Sequence, residues 1–333
     1  MYLCTMQKPQ QQQIFTIQTK EQFTEAALQV FQYQAQYCAV YNQFIGGLNI
    51  DANTITQLSQ IPFLPIEFFK NHEVLSSTDV AEVTFTSSGT TGMITSSHLV
   101  TEVSWYQQSF RRAFELFYGD IKQYCILALL PAYLERAGSS LVYMADDLIK
   151  LSGHPDSGFY LYNHHDLHQQ LLKQQKAGTP TLLIGVTFAL LDFVEKRPIN
   201  YPELIVMETG GMKGRRKEMI REELHDILCK GFGVDAIHSE YGMTELLSQA
   251  YSKGQGIFNC PPWMRIQTRD TNDPISSIGD GKTGGVNIID LANINSCSFL
   301  ATQDLGKVYP DHSFEILGRF DFSDIRGCNL LIA

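Results

Sequence analysis

Thr84-Phe85-Thr86-Ser87-Ser88-Gly89-Thr90-Thr91-Gly92 is the stretch that decides how this chain is read. A short apolar strand, Val83 to Phe85, runs into six hydroxyl- or glycine-type residues closed by Gly92. No side chain in such a loop is bulky enough to exclude an anion. Its glycines allow close backbone approach, and its amides and the hydroxyls of Ser87, Ser88, Thr90 and Thr91 can converge on phosphate oxygens, with Gly89 and Gly92 permitting the tight turn. An arbitrary run of this composition is more often a plain surface loop. Two features point the other way: the loop follows a strand, and a second unusual stretch, Tyr241-Gly242-Met243-Thr244-Glu245, lies far downstream.

Around these stretches the chain reads as a protein with a large buried core. Its 333 residues hold one large domain or two smaller ones, and 44% hydrophobic with 18% charged residues fits an α/β protein. A net charge of −10 argues against nucleic acid as the main partner. It leaves room for a nucleotide, whose few phosphates need only local donors and a metal. The seven cysteines are scattered without a Cys-x-x-Cys pair, so no metal cluster or disulfide framework is expected and a cytoplasmic setting is the default. Neither a signal peptide nor a membrane span is expected.

In chain order, residues 1–20 read as a flexible tail. Apolar residues at three- and four-residue spacing predict one helix from Glu21 to Phe44, ended by Gly46-Gly47. Ile61 to Lys70, broken by two prolines, reads as an extended cover. From Glu102 to His238 helices and apolar strands alternate: strands at 125–130, 159–162, 181–186 and 204–208, helices at 102–118, 139–151, 165–176, 188–196 and 213–230. That alternation predicts a parallel sheet covered by helices over 21–260. Beyond Pro261 glycines cluster and strands appear without helices, at 285–291, 299–302 and 314–317, predicting a small β-subdomain with a hinge-like tail over 261–333.

Several strand ends carry chemistry-bearing residues, and ligands of open α/β sheets sit at the carboxyl ends of strands. Glu208-Thr209-Gly210-Gly211 ends one strand, and paired glycines there let a flat ring lie against backbone; a tight turn is the plainer alternative. In the downstream stretch Tyr241 can stack on a base, Thr244 can bond a phosphate and Glu245 can hold a hard cation through carboxylate oxygen. A turn closed by a Thr-Glu capping pair is the competing reading. No Gly-Lys-Ser/Thr follows the first loop, so it is not the phosphate loop of P-loop NTPases.

The first loop together with the Tyr-Gly-x-Thr-Glu stretch resembles the acyl-adenylate-forming (AMP-binding) superfamily, and within it the acyl-protein synthetases of bacterial bioluminescence and their relatives. The resemblance covers roughly residue 60 to the end. It implies an adenylate-forming large domain of layered sheets and helices, followed by a small β-subdomain. It implies activation of a carboxylic acid, a fatty acid foremost, as acyl-AMP with ATP and Mg2+, then transfer to a thiol. Ser87 to Gly92 would bind phosphate, Gly210, Gly211, Tyr241 and Gly242 the base, Thr244 the α-phosphate and Glu245 the metal. Tyr133, in Leu130-Pro131-Ala132-Tyr133-Leu134-Glu135-Arg136, matches by position an aromatic residue that lines the carboxylate site; a Glu135–Arg136 surface pair is the alternative. Asp304 would accept the ribose hydroxyls, with Arg319 in a Gly-Arg-x-Asp hinge after it.

The resemblance is incomplete at two places. Where the superfamily has a lysine shortly after the second loop glycine, the nearest candidate cation here is His98, counted with Tyr133 as substrate-binding. Typical members also continue into a small C-terminal domain with a catalytic lysine, whereas this sequence ends at Ala333. The lysine is then dispensable, replaced by Lys213 or Lys282, or supplied in trans. Bioluminescence acyl-protein synthetases use a cysteine near the C-terminus as acyl acceptor, which gives Cys328, near Arg326, that role; an incidental cysteine is the alternative. An acyl carrier protein, coenzyme A or a partner acyl enzyme is the expected further acceptor. Two readings of other classes stay open: a catalytically incomplete nucleotide-binding partner module, and an ATP-independent acyltransferase.

Overall fold

A computed structural model describes residues 7–87, 95–130, 138–210, 219–273 and 276–319. They divide into two units: residues 1–80 with 262–333, and residues 81–261. The first opens with three helices, α1 (Gln11–Phe15), α2 (Lys20–Tyr37) and α3 (Ala39–Gly47), then strand β1 (Leu64–Pro65) and helix α4 (Phe68–Asn71).

Residues 81–261 begin with a hairpin, β2 (Val83–Thr86) with β3 (Ser97–Val100), paired antiparallel. Next come α5 (Val103–Tyr118), β4 (Cys125–Leu129), α6 (Ser140–Ser152), β5 (Gly158–Tyr160), α7 (His164–Ala177), β6 (Thr181–Gly185), α8 (Thr187–Lys196), β7 (Ile205–Glu208), α9 (Arg221–Phe232) and β8 (His238–Tyr241). Strands β9 (Ala250–Ser252) and β10 (Phe258–Asn259) close the unit. The order β5-β4-β6-β7-β8 is parallel throughout, and β9 and β10 continue it antiparallel. Every residue of β4 and β6 is buried, as a strand covered on both faces requires. The pairing sets Leu129, Gly185, Glu208 and Ser239 in one row, so β4, β6 and β7 finish level and β8 runs two residues further to Tyr241.

The chain then returns to the first unit with β11 (Met264–Arg269), β12 (Thr283–Asp290), β13 (Phe299–Val308) and β14 (Phe314–Arg319), an antiparallel sheet that β1 joins parallel to β13. The α/β class and the antiparallel strands after residue 261 match expectation. The N-terminal segment does not go with the α/β body as the 21–260 division supposed; it packs on the C-terminal strands. Buried Gln34 donates to Asn293 O, Ile294 O and Ser298 Oγ, and its Oε1 accepts from Ser298 N. Residues 11–20 are no loose tail either: Ile14 and Phe15 are buried, and Phe15 meets Trp263 edge to face at 5.1 Å. The single helix predicted over 21–44 is two, broken where Cys38 is extended.

Candidate active site

The hairpin β2–β3 presents the first loop. Ser87 N donates to Ser96 O, and Ser96 N to Ser87 Oγ, closing the stem at 3.0 and 2.8 Å. Ser88, Gly89, Thr90, Thr91 and Gly92 lie outside the described residues. So do Tyr133, Gly211, Lys213 and Cys328. Gly138, just past the Tyr133 stretch, abuts the stem: Thr86 N donates to its carbonyl at 2.8 Å. A Cβ on Gly138 would lie 3.2 Å from Thr84 O and 2.9 Å from Thr86 Oγ1, and its φ of +92° also calls for glycine. The residue that follows the Tyr133 stretch is therefore tied to the stem of the first loop.

His98, in β3, reaches across to the Tyr241–Glu245 stretch. Its Nδ1 lies 2.9 Å from Thr244 O, so the proton sits on that nitrogen. Burial drives its pKa down to about 4, against the smaller pull of the Thr244 carbonyl. The ring is neutral near pH 7 and does not carry the positive charge expected of it. What it supplies is a tie from the phosphate-loop stem to Thr244.

After β8 the chain turns, with Leu246 N donating to Met243 O. Tyr241 stacks edge-on against Phe258 at 6.0 Å, and Glu245 is buried. Thr244 keeps part of its surface open. At the neighbouring end of β7, Thr209 N donates to Gly185 O and Thr187 N to Gly210 O, joining the turns after β6 and β7. Gly210 takes φ +74°.

Two carboxyls that sequence reading did not single out stand among these groups. Glu208 is 5% exposed and accepts through Oε2 from Gly210 N at 2.8 Å and Thr187 Oγ1 at 3.0 Å. Burial alone would push it up; His225, Ser239 and the Gly210 amide outweigh this and hold it below the usual carboxylate range. Glu240, next to Tyr241, shows part of its area to solvent, yet its carboxyl lies near Tyr106, Tyr118 and Tyr251. Burial first, and then the Glu208 charge, lift its pKa to about 8. A Cβ on Gly242 would meet Glu240 Oε1. The available signals were a glutamate closing the apolar run Ile205–Met207 and another directly before Tyr241.

In the other unit, Asp304 and Arg319 face each other across β13 and β14, and Arg319 Nε donates to Asp304 Oδ1 at 3.0 Å. Asp304 N donates to Thr302 Oγ1, and Asp304 is 5% exposed. Lys282 is exposed at the start of β12. Among the described residues no helix is long and apolar enough to cross a membrane, and no three acidic, cysteine or histidine side chains group as a metal cage.

A family profile described as "Acyl-protein synthetase, LuxE" matches residues 11–333. A search of curated protein sequences finds no match. Among solved structures, an open conformation of 2-hydroxyisobutyryl-CoA ligase, in complex with 2-HIB-AMP and CoA, superimposes with a TM-score of 0.66 at 11% identity, over 91% of this chain and 70% of that one. ATP-bound MatB from Rhodopseudomonas palustris gives a TM-score of 0.54 at 15% identity, over 74% of this chain and 48% of that one. At such identities the likeness is one of fold, and it agrees with the strand-end arrangement above. With the profile spanning nearly the whole sequence, the chain belongs to the acyl-protein synthetase (LuxE) family of AMP-forming acid–thiol ligases.

Proposed function

We propose that this protein uses ATP and Mg2+ to activate a fatty acid as its acyl-AMP, and passes the acyl group to a thiol. The observation that supports this best is the His98–Thr244 bond, which ties the stem of the first loop to the Tyr241–Glu245 stretch at the carboxyl end of β8. The stem of the candidate phosphate loop thus lies beside the Thr244 and Glu245 candidates, on the side of the sheet where α/β folds bind ligands.

In the first half-reaction a carboxylate oxygen of the acid attacks the α-phosphorus and the bond to pyrophosphate breaks. Hydroxyls and amides of Ser87 to Gly92 receive the phosphate oxygens, and Thr244 Oγ1 donates to the α-phosphate. Gly210, Gly211, Tyr241 and Gly242 bound the base, and Asp304 accepts from the ribose. Glu245 suits magnesium, which is commonly held by one or two carboxylates and substrate phosphates. Bound there, the ion offsets the charge that builds on the phosphates. In the second half-reaction a thiolate attacks the acyl carbon and AMP leaves, with Cys328 as the acceptor within this chain and an external thiol beyond it.

Pyrophosphate exchange into ATP, driven by a panel of saturated fatty acids, tests the first half. Exchange that depends on acid and magnesium is expected; none with any acid, together with no thermal shift by ATP, would sink the proposal. For the second half, labelled fatty acid plus ATP should give a hydroxylamine-labile adduct that Cys328→Ser abolishes. Persistence of the label in that variant moves the acceptor elsewhere.

A further inference from the structure

Glu208 presents a physical problem of its own. Ion pairs and charges buried in a core are poor sources of stability, and well-packed apolar side chains of similar size often serve as well or better. The strand it ends is otherwise apolar, Ile205-Val206-Met207, yet the last buried position holds a carboxylate. What that carboxylate does is specific. One oxygen, Oε2, accepts both from Gly210 N, two residues on in the same chain segment, and from Thr187 Oγ1, at the start of α8 just past β6. The same two segments are joined again through backbone, Thr187 N to Gly210 O at 2.9 Å and Thr209 N to Gly185 O at 3.1 Å. Its other oxygen faces His225 on α9, whose Nε2 is 3.8 Å away.

The residue so held is Gly210, in the left-handed region at φ +74°. Among the described residues no atom comes within 4 Å of the place a Cβ would take there. Among the described residues that side of Gly210 is bare backbone, while its amide is held by a buried anion. A glycine just past a strand end has many conformations open to it. Pinning its amide to a carboxylate that is anchored to the start of α8 selects one of them, before any ligand arrives. Preorganisation of this kind lowers the cost of binding without touching the ligand.

We propose that Glu208 is a positioning residue, whose carboxylate fixes the Thr209–Gly210 turn so that its open face receives the purine ring of the nucleotide. This rests on the adenylation reading above. Glu208 acts through Gly210 and makes no contact with substrate. Thr187 belongs to the same device, since its hydroxyl shares the anchoring oxygen.

AMP is the probe, because its binding does not require the acid to be known. Calorimetric titration gives its Kd for wild type, Glu208→Gln, Glu208→Met and Thr187→Val, alongside each protein's thermal midpoint without nucleotide. Glu208→Gln keeps an oxygen able to accept from both Gly210 N and Thr187 Oγ1, so its Kd should stay within about threefold of wild type. Glu208→Met removes the acceptor and should weaken AMP about tenfold. Thr187→Val removes one donor and should weaken it about threefold. A purely structural Glu208 would lower the midpoint of Glu208→Met and leave Kd for its folded fraction at the wild-type value, which overturns the proposal. If Glu208→Met does not fold, Thr187→Val decides: an unchanged Kd overturns the assignment and a weakened one sustains it. Wild-type protein that fails to bind AMP at millimolar concentration removes the adenylation reading itself, and this inference with it.

Discussion

Strands β7 and β8 lie side by side, run the same way and each bring a glutamate to the carboxyl end, Glu208 and Glu240. The two carboxyls nevertheless hold opposite protonation states near neutral pH. Glu208 is the more deeply covered, yet Gly210 N, Thr187 Oγ1 and the nearby His225 and Ser239 keep it ionised. Glu240 retains some exposure, but burial among tyrosines and the charge of Glu208 hold its proton. Exposed area alone would rank them the wrong way round. Donors aimed at the carboxylate, rather than depth, decide which glutamate is an anion. The turns beyond them are secured differently as well, the one after β7 by that anion and the one after β8 by the neutral His98 ring.

The largest test of this contrast is stability against pH. Glu240 has a folded-state pKa of about 8 against an ordinary 4.5. Its contribution is therefore fully present below 4.5 and lost as pH rises through 8. Glu240→Gln should remove that slope. At about pH 9 it should exceed wild type by on the order of a few kcal/mol in urea unfolding. Parallel curves for the two proteins from pH 5 to 9 would mean that Glu240 ionises like an exposed carboxylate, and the contrast would collapse.

His98 gives a smaller effect of opposite sense. Its folded-state pKa of about 4 lies below the ordinary 6.5, so stability is present above 6.5 and lost as pH falls toward 4. At pH 7, His98→Leu should cost about 1 kcal/mol by orphaning Thr244 O. His98→Asn, whose amide can reach the same carbonyl, should recover part of it. Equal losses in both variants would show that packing, rather than the bond to Thr244, is what the ring supplies.

The smallest effect tests the coupling between the two glutamates. Glu208→Gln deletes the negative charge that helps raise Glu240, so the alkaline end of the Glu240 titration should move to lower pH. Carboxyl-carbon NMR of Glu240 in both proteins would read it. An unmoved titration leaves burial as the sole cause.

Much of this was legible in the sequence. Apolar runs such as Cys125–Leu130 and Thr181–Val186 announced buried parallel strands, and the order of the motifs pointed to the family. Element ends were less legible: periodicity carried through Cys38, where the backbone breaks the helix. Strand β11 has only a short sequence signal, Met264 and Ile266 alternating with Arg265 and Gln267. The placement of residues 7–80 rests on bonds such as Tyr33 Oη to Ser76 O and Ser296 Oγ to Val74 O. A periodic pattern says that a face is apolar and not which distant segment covers it. Glu208 and Glu240 show the same limit: each is a glutamate at the end of a strand, and only neighbours from other elements separate them.

The buried amide of Gln34 has a consequence for how the protein is made. Its partners lie 259 to 264 residues further along the chain. On the ribosome, α2 emerges early with Phe23, Val30, Phe31 and Gln34, all buried in the folded protein, where Gln34 is met by Asn293 to Ser298. That surface has to wait while residues 81–261, a separate compact unit, are completed. Synthesis at 5–20 residues per second makes the delay on the order of tens of seconds. Over that interval the apolar side of the N-terminal helices lacks its final partners, the condition in which nascent chains aggregate or are held by chaperones.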